Sequence, residues 1–85
     1  MRIVKLEIIT PEKRLFDGKV KLVKVPGASG SFEILNNHAP IISTLTNGTI
    51  KVVTEDDHKE LIDIESGIVE VKANSISILA ITGRS

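Results

Sequence analysis

The sequence predicts an all-β fold, a flattened sandwich of about eight to ten short strands in one domain covering residues 1–85. Three observations carry this. Thirteen Ile, eight Val and six Thr make 27 of the 85 residues β-branched, against only four Ala. Branching at Cβ stiffens χ1 and suits a pleated surface better than a helix. Turn-forming residues recur along the whole chain, with short alternating apolar runs between them. No segment carries a 3.6-residue apolar period bounded by caps.

The elements follow in order. Val4, Leu6 and Ile8 share one face of a first strand, with Lys5 and Glu7 on the other, and Pro11 ends it because proline cannot donate to a ladder. Asp17-Gly18 reads as a turn, and the next strand runs through Val20, Leu22, Val23 and Val25. Pro26-Gly27 and Gly30 bracket a loop, Phe32 to Leu35 forms a short run, and Asn36 to Pro40 reads as a structured loop. Ile41, Ile42 and Leu45 form a strand, and Asn47-Gly48 predicts a hairpin into Ile50, Val52 and Val53. Glu55-Asp56-Asp57-His58 is a polar hairpin tip, from which Leu61, Ile62 and Ile64 return. Ser66-Gly67 turns into Val69 and Val71, and Ala73-Asn74 turns into Ser75–Ile81. In that last strand Ile76, Ile78 and Ala80 oppose Ser77, Leu79 and Ile81.

Composition also excludes functions. Eleven Lys and Arg balance eleven Asp and Glu, so no overall field draws the chain to nucleic acid or an anionic membrane. Two Phe, with no Trp or Tyr, cannot build a base-stacking platform. The absence of Cys removes disulfides, thiolate chemistry and Cys-based metal sites. No apolar run approaches the roughly 18 residues of a membrane helix, and the charged start (Arg2, Lys5, Glu7) is not a signal peptide.

No catalytic constellation emerges. His58 beside Asp56 and Asp57 has the donor types for a metal or for proton transfer, yet Asp-rich tips are ordinary solvated turns, so neither metal nor cofactor is expected. Gly27-Ala28-Ser29-Gly30-Ser31 lacks the Lys-Ser/Thr ending of a phosphate loop and no helix follows it, which leaves a structural turn. His38-Ala39-Pro40, after two asparagines, stands out as an imidazole and a rigid proline in a loop, where scaffolds often carry function.

Five motifs in series resemble one family. They are L-x-I-x-T-P-E-x-x-L-F-x-G (Leu6 to Gly18), V-P-G-x-x-G-x-F-x-I-L (Val25 to Leu35), H-A-P-I-I-S-x-L (His38 to Leu45), N-G-x-I-x-V (Asn47 to Val52) and S-G-I-V-E-V (Ser66 to Val71). Together they are very similar to the epsilon subunit of F-type ATP synthases, along essentially the whole chain. The resemblance implies a sandwich of about ten strands and a role without chemistry. Such a subunit belongs to the central stalk, binds the gamma subunit and rests on the ring of c subunits, so that ion-driven rotation of the ring turns the stalk.

By that resemblance Thr10, His38 and Ser43 face gamma, and the loop from Ser31 to Asn37 reaches the c ring. The family usually has Gly-Glu-Phe-Gly where this chain has Gly30-Ser31-Phe32-Glu33, and Pro-Gly where it has Asn36-Asn37. The acidic group is therefore missing at Ser31; Glu33, two positions on, keeps the same face of a strand and is the expected substitute. Asn36 and Asn37 retain access to positive φ. Family members mostly continue into a C-terminal helical hairpin that brakes ATP hydrolysis and in some binds ATP; with Ser85 just past the last strand, neither is expected here. The implied location is peripheral, on the cytoplasmic face of a bacterial inner membrane or its organellar equivalent.

Two other all-β readings stand beside this one. A lipoyl- or biotinyl-type carrier needs a modifiable lysine at a hairpin tip, for which Lys59 is the candidate. An OB-type nucleic-acid module is opposed by the neutral charge and the lack of aromatics.

Overall fold

The computed structural model describes residues 3–34 and 40–83. Eight strands carry the chain: β1 (Val4–Ile9), β2 (Arg14–Gly27), β3 (Gly30–Ile34), β4 (Ile41–Leu45), β5 (Gly48–Thr54), β6 (Lys59–Ile64), β7 (Ser66–Lys72) and β8 (Ser75–Ile81). The predicted fold class holds, with one difference in scale: β2 is 14 residues long, and it builds both layers.

Arg14–Val20 of β2 pairs antiparallel with β1. The second half pairs with β3 on one edge and, from Val20 to Lys24, with β5 on the other. One layer is thus β4-β7-β8-β1 and the start of β2, with β1 and β8 parallel; the other is β3, the end of β2, β5 and β6. A register shift between Val20 and Leu22 marks the change of layer. The extra residue flips the inward side, so Val20 is buried before it and Val23 and Val25 after it. Leu22 and Val23 are adjacent apolar residues in the sequence for this reason.

The core fills the space between the layers. Among the described residues sixteen apolar side chains are buried in it, and six of them, Leu6, Ile8, Val23, Ile50, Val69 and Ile78, are at most 1% exposed. β8 shows the period-2 logic without interruption: Ile76, Ile78 and Ala80 are buried and the residues between them are exposed.

Three expected turns are corrected. Asp17-Gly18 lies inside β2, opposite Glu7 and Leu6, because the chain reverses earlier, at Thr10–Lys13. The bracketing expected of Pro26-Gly27 and Gly30 does hold: Gly27, the last residue of β2, pairs with Gly30 and encloses the turn Ala28-Ser29. Gly30 has φ of +127°, a conformation that an L side chain rarely adopts. Asn47-Gly48 is not a hairpin: β4 pairs with β7 while β5 pairs with β2 and β6, so this connection crosses between layers. Gly48 packs on the Pro26 ring there, where a Cβ would come within 2.7 Å of Pro26 Cβ. Ser66-Gly67 likewise begins a strand after a crossing from β6 to β7. The tips at Glu55–His58 and Ala73-Asn74 are hairpins as expected, with Asp57 at φ +68°.

Candidate functional site

Thr10 shapes the end of β1. Its backbone N–H donates to the Lys13 carbonyl at 2.8 Å, its hydroxyl donates to the same carbonyl at 3.1 Å, and Oγ1 accepts from the N–H groups of Glu12 (3.3 Å) and Lys13 (3.1 Å). A Thr-Pro-Glu-Lys turn closed in this way needs a side-chain oxygen beside the proline, which supplies no donor. Thr10 is 8% exposed, so its hydroxyl is committed to the turn.

Ser43 sits at the centre of β4, opposite Val69, half-buried, with its hydroxyl donating to the Thr44 carbonyl at 3.4 Å. β8 and β7 lie between β1 and β4, so Thr10 and Ser43 are three strand spacings apart, ~14 Å across the layer. His38, the third residue expected to face gamma, lies outside the described residues, as do Asn36 and Asn37. Ser31 and Glu33 are both exposed on β3, opposite Pro26 and Lys24, and share the side away from Phe32 and Ile34, as the alternation required.

The β5–β6 tip is held by its own groups. The Thr54 hydroxyl donates to Asp56 and accepts from the His58 N–H at 3.0 Å, and Lys21 pairs with Asp57. The hydrogen bond from Thr54, and then Asp56's own N–H, hold the Asp56 carboxyl below the usual aspartate range; His58 Nδ1, 3.3 Å away, adds to this. Among the described residues no group of three or more His, Cys, Asp or Glu could hold a metal ion. Lys59 lies in β6, paired with Val53, and not at the centre of the tip where a carrier lysine would stand.

A surface that sequence reasoning missed lies on the outside of the β4-β7-β8-β1 layer. Among the described residues the large exposed apolar side chains are Ile42, Leu61, Ile68, Leu79 and Ile81, and all but Leu61 stand on this face. Ile68 and Leu79 are cross-strand partners, and Ile9 lies beside Leu79 on β1. A shallow apolar depression of about 250 Å³ runs among Glu7, Ile9, Ile68, Glu70, Ser77 and Leu79. The signal was present in Ser75–Ile81, where the strand's second face carries Leu79 and Ile81 although a solvated face should be polar.

Residues 3–83 match the family described as the ATP synthase Delta/Epsilon chain, beta-sandwich domain. The chain belongs to this family. The epsilon-subunit resemblance read from the five motifs therefore holds at family level. Among curated relatives of this epsilon-type domain, the ATP synthase epsilon chain of Leptospira interrogans is 43% identical over 76 residues, covering 89% of this chain and 59% of the relative. The ATP synthase epsilon chain of Bordetella avium is 37% identical over 82 residues, covering 96% and 58%. The chain thus spans a little under three-fifths of the relatives' length. Two solved structures share the fold. A chain of the Euglena gracilis mitochondrial ATP synthase matches with a TM-score of 0.86 at 18% identity, covering 92% of this chain and 50% of that one. A chain of the Tetrahymena thermophila mitochondrial ATP synthase central stalk and c ring matches at 0.77 and 22%, covering 92% and 63%. No helix among the described residues is long and apolar enough to cross a membrane.

Proposed function

We propose that this domain is the β-sandwich part of a non-catalytic rotor subunit in the central stalk of an F-type ATP synthase. It binds the gamma subunit on one side and rests on the c ring on another, so that rotation driven by proton or sodium flow through the ring is passed to the catalytic head and supports ATP synthesis. The observation that carries this reading is the family match across residues 3–83, with relatives named ATP synthase epsilon chain.

The architecture suits such a role. β2 is bonded into both layers, so a load on one layer reaches the other through a continuous ladder and not through a loop. In this reading gamma contacts Thr10, His38 and Ser43, as the family resemblance implies. Thr10 contributes the shape of its turn, since its hydroxyl is already used. The c ring meets the β2–β3 hairpin, where Ser31 and Glu33 face outward and Asn36 and Asn37 follow. Glu33 there replaces the acidic group absent at Ser31; an exposed charged contact contributes ~0–1 kcal/mol, so docking does not hinge on it. A stable contact with each partner would bury ~800 Å² on this domain. The protein is peripheral to the membrane through the complex, on the cytoplasmic face in a bacterium.

The test is association with purified gamma, by calorimetry, followed by reconstitution with the c ring. Binding to gamma in a one-to-one complex is expected. A chain that binds neither gamma nor the ring, alone or together, is not a rotor subunit. Within that experiment His38→Ala should weaken gamma binding by about 1–2 kcal/mol, the magnitude for a lost hydrogen bond in a partly buried contact.

A further inference from the structure

The outer face of the β4-β7-β8-β1 layer, continued onto the start of β2, is ruled in rows that cross the strands. Register aligns Thr44, Ile68, Leu79 and Ile9 in one row, which Arg14 ends on β2. The next row is Ile42, Glu70, Ser77, Glu7 and Asp17. A third is Lys72, Ser75, Lys5 and Lys19. Two residues along a strand separate neighbouring rows, ~7 Å. The order is therefore apolar, acidic, basic, in one direction only. On the opposite flank of the apolar row stand Ser66 and Ile81, neither of them charged.

An apolar row on an open sheet face is what a partner covers, since contiguous exposed apolar surface on a folded domain marks interaction sites. The acidic row identifies the partner's chemistry. Among the described residues its carboxylates are met by exposed ion pairs: Arg14 with Glu7 at 3.1 Å and with Asp17 at 3.4 Å, and Lys72 with Glu70 at 3.7 Å. Every side chain in these pairs is more than a third exposed, so the carboxylates can exchange these partners for incoming cations.

We propose that this face takes an element of the stalk partner bearing an apolar stripe with lysines or arginines along one flank, the stripe lying on Ile68, Leu79 and Ile9 and the cations on Glu70 and Glu7. The proposal rests on the rotor reading above and adds the location, chemistry and direction of the contact. Turning the partner element end for end would move its cations to the uncharged Ser66–Ile81 flank. Sliding it by one row would set them on Lys5 and Lys72. Row order thus fixes both the polarity and the register of the bound element, which is how like-charge repulsion gives specificity.

The experiment compares gamma binding of the whole chain with that of three variants, each checked for an unchanged thermal transition. Leu79→Asp places a charge in the apolar row and should weaken binding by roughly 100-fold, as for a central contact residue. The double variant Glu7→Lys, Glu70→Lys should weaken it by at least about tenfold, with most of that loss disappearing as salt rises from about 0.1 to 1 M and the screening length falls from about 10 to 3 Å. Lys5→Glu with Lys19→Glu should leave binding unchanged or tighten it. Ile68→Ser serves in place of Leu79→Asp if the latter perturbs folding. Gamma binding that is strong in the wild type and equally strong in Leu79→Asp or in the acidic-row double variant overturns the proposal while the rotor reading stands. Wild type that ignores gamma sinks both. Self-association lost in Leu79→Asp, with gamma affinity unchanged, assigns the face to a second copy and also overturns it.

Discussion

The two layers of the sandwich share one core and differ on their outsides. Outside β3-β2-β5-β6, Glu33, Lys24, Lys51 and Leu61 form a cross-strand row, and Thr49 donates to Asp63 at 2.7 Å beside it. Leu61, 69% exposed, is the large exposed apolar residue on that side among the described residues, while Leu22 and Val53, cross-strand partners outside the same layer, are half-buried. Outside β4-β7-β8-β1, by contrast, Ile68, Leu79 and Ile9 are neighbours in one row. Both faces obey the same strand periodicity, so folding accounts for neither difference. What distinguishes the apolar face is that its exposed residues are contiguous, and contiguity is a property a partner selects.

The comparison breaks first at the shared core. Ile78 is 1% exposed and packs beneath the apolar face, and Ile78→Ala should cost about 2–5 kcal/mol by urea denaturation, through lost burial and a cavity. An effect under 1 kcal/mol would mean that the layers are not packed on each other as described. Gly67 tests the seam under the same face. A Cβ there would stand 2.7 Å from the Leu79 carbonyl oxygen on β8, so Gly67→Ala should destabilise by about 1–3 kcal/mol as the β7–β8 ladder shifts. A stabilised Gly67→Ala would show that the strands give way there.

Smaller effects sharpen the edges of the face. Thr10→Ala removes the acceptor for two backbone N–H groups and should cost about 1 kcal/mol in thermal or chemical unfolding. If the loss appears instead in gamma affinity with stability unchanged, the hydroxyl serves the partner and not the turn. The smallest effect belongs to the β5–β6 tip, remote in kind from the apolar face. The Asp56 carboxyl titrates below its usual value, so its contribution to stability is fully present above about pH 4 and is lost as pH falls through the lowered value. A carboxyl titration followed by NMR should show Asp56 below the ordinary aspartate value, and Thr54→Ala should return it towards that value.

Much of this architecture was legible in the residues. Alternation gave the inward sets of β1, β7 and β8 directly, because each of these strands has one buried side along its whole length. The misread turns share one cause. Asp17-Gly18, Asn47-Gly48 and Ser66-Gly67 all carry turn chemistry, but local propensity does not report which strands pair. Long-range pairing keeps the first extended and makes the other two crossings between layers. The exposed apolar face was missed for a different reason. Ile68, Leu79 and Ile9 are distant in sequence, and only the parallel register of β1 with β8 and the antiparallel register of β7 with β8 set them side by side. The residues assigned by resemblance are legible as positions, and their roles await the partner.

The most direct measurement sets the two outer faces against each other. Leu79→Asp and Leu61→Asp each place one charge at an exposed leucine, and surface changes of this kind shift stability by only about 0.5 kcal/mol. Calorimetry against gamma should show binding lost in Leu79→Asp and retained in Leu61→Asp. Equal affinities for the two variants, or the reverse order, would contradict the assignment of the apolar face to the stalk partner.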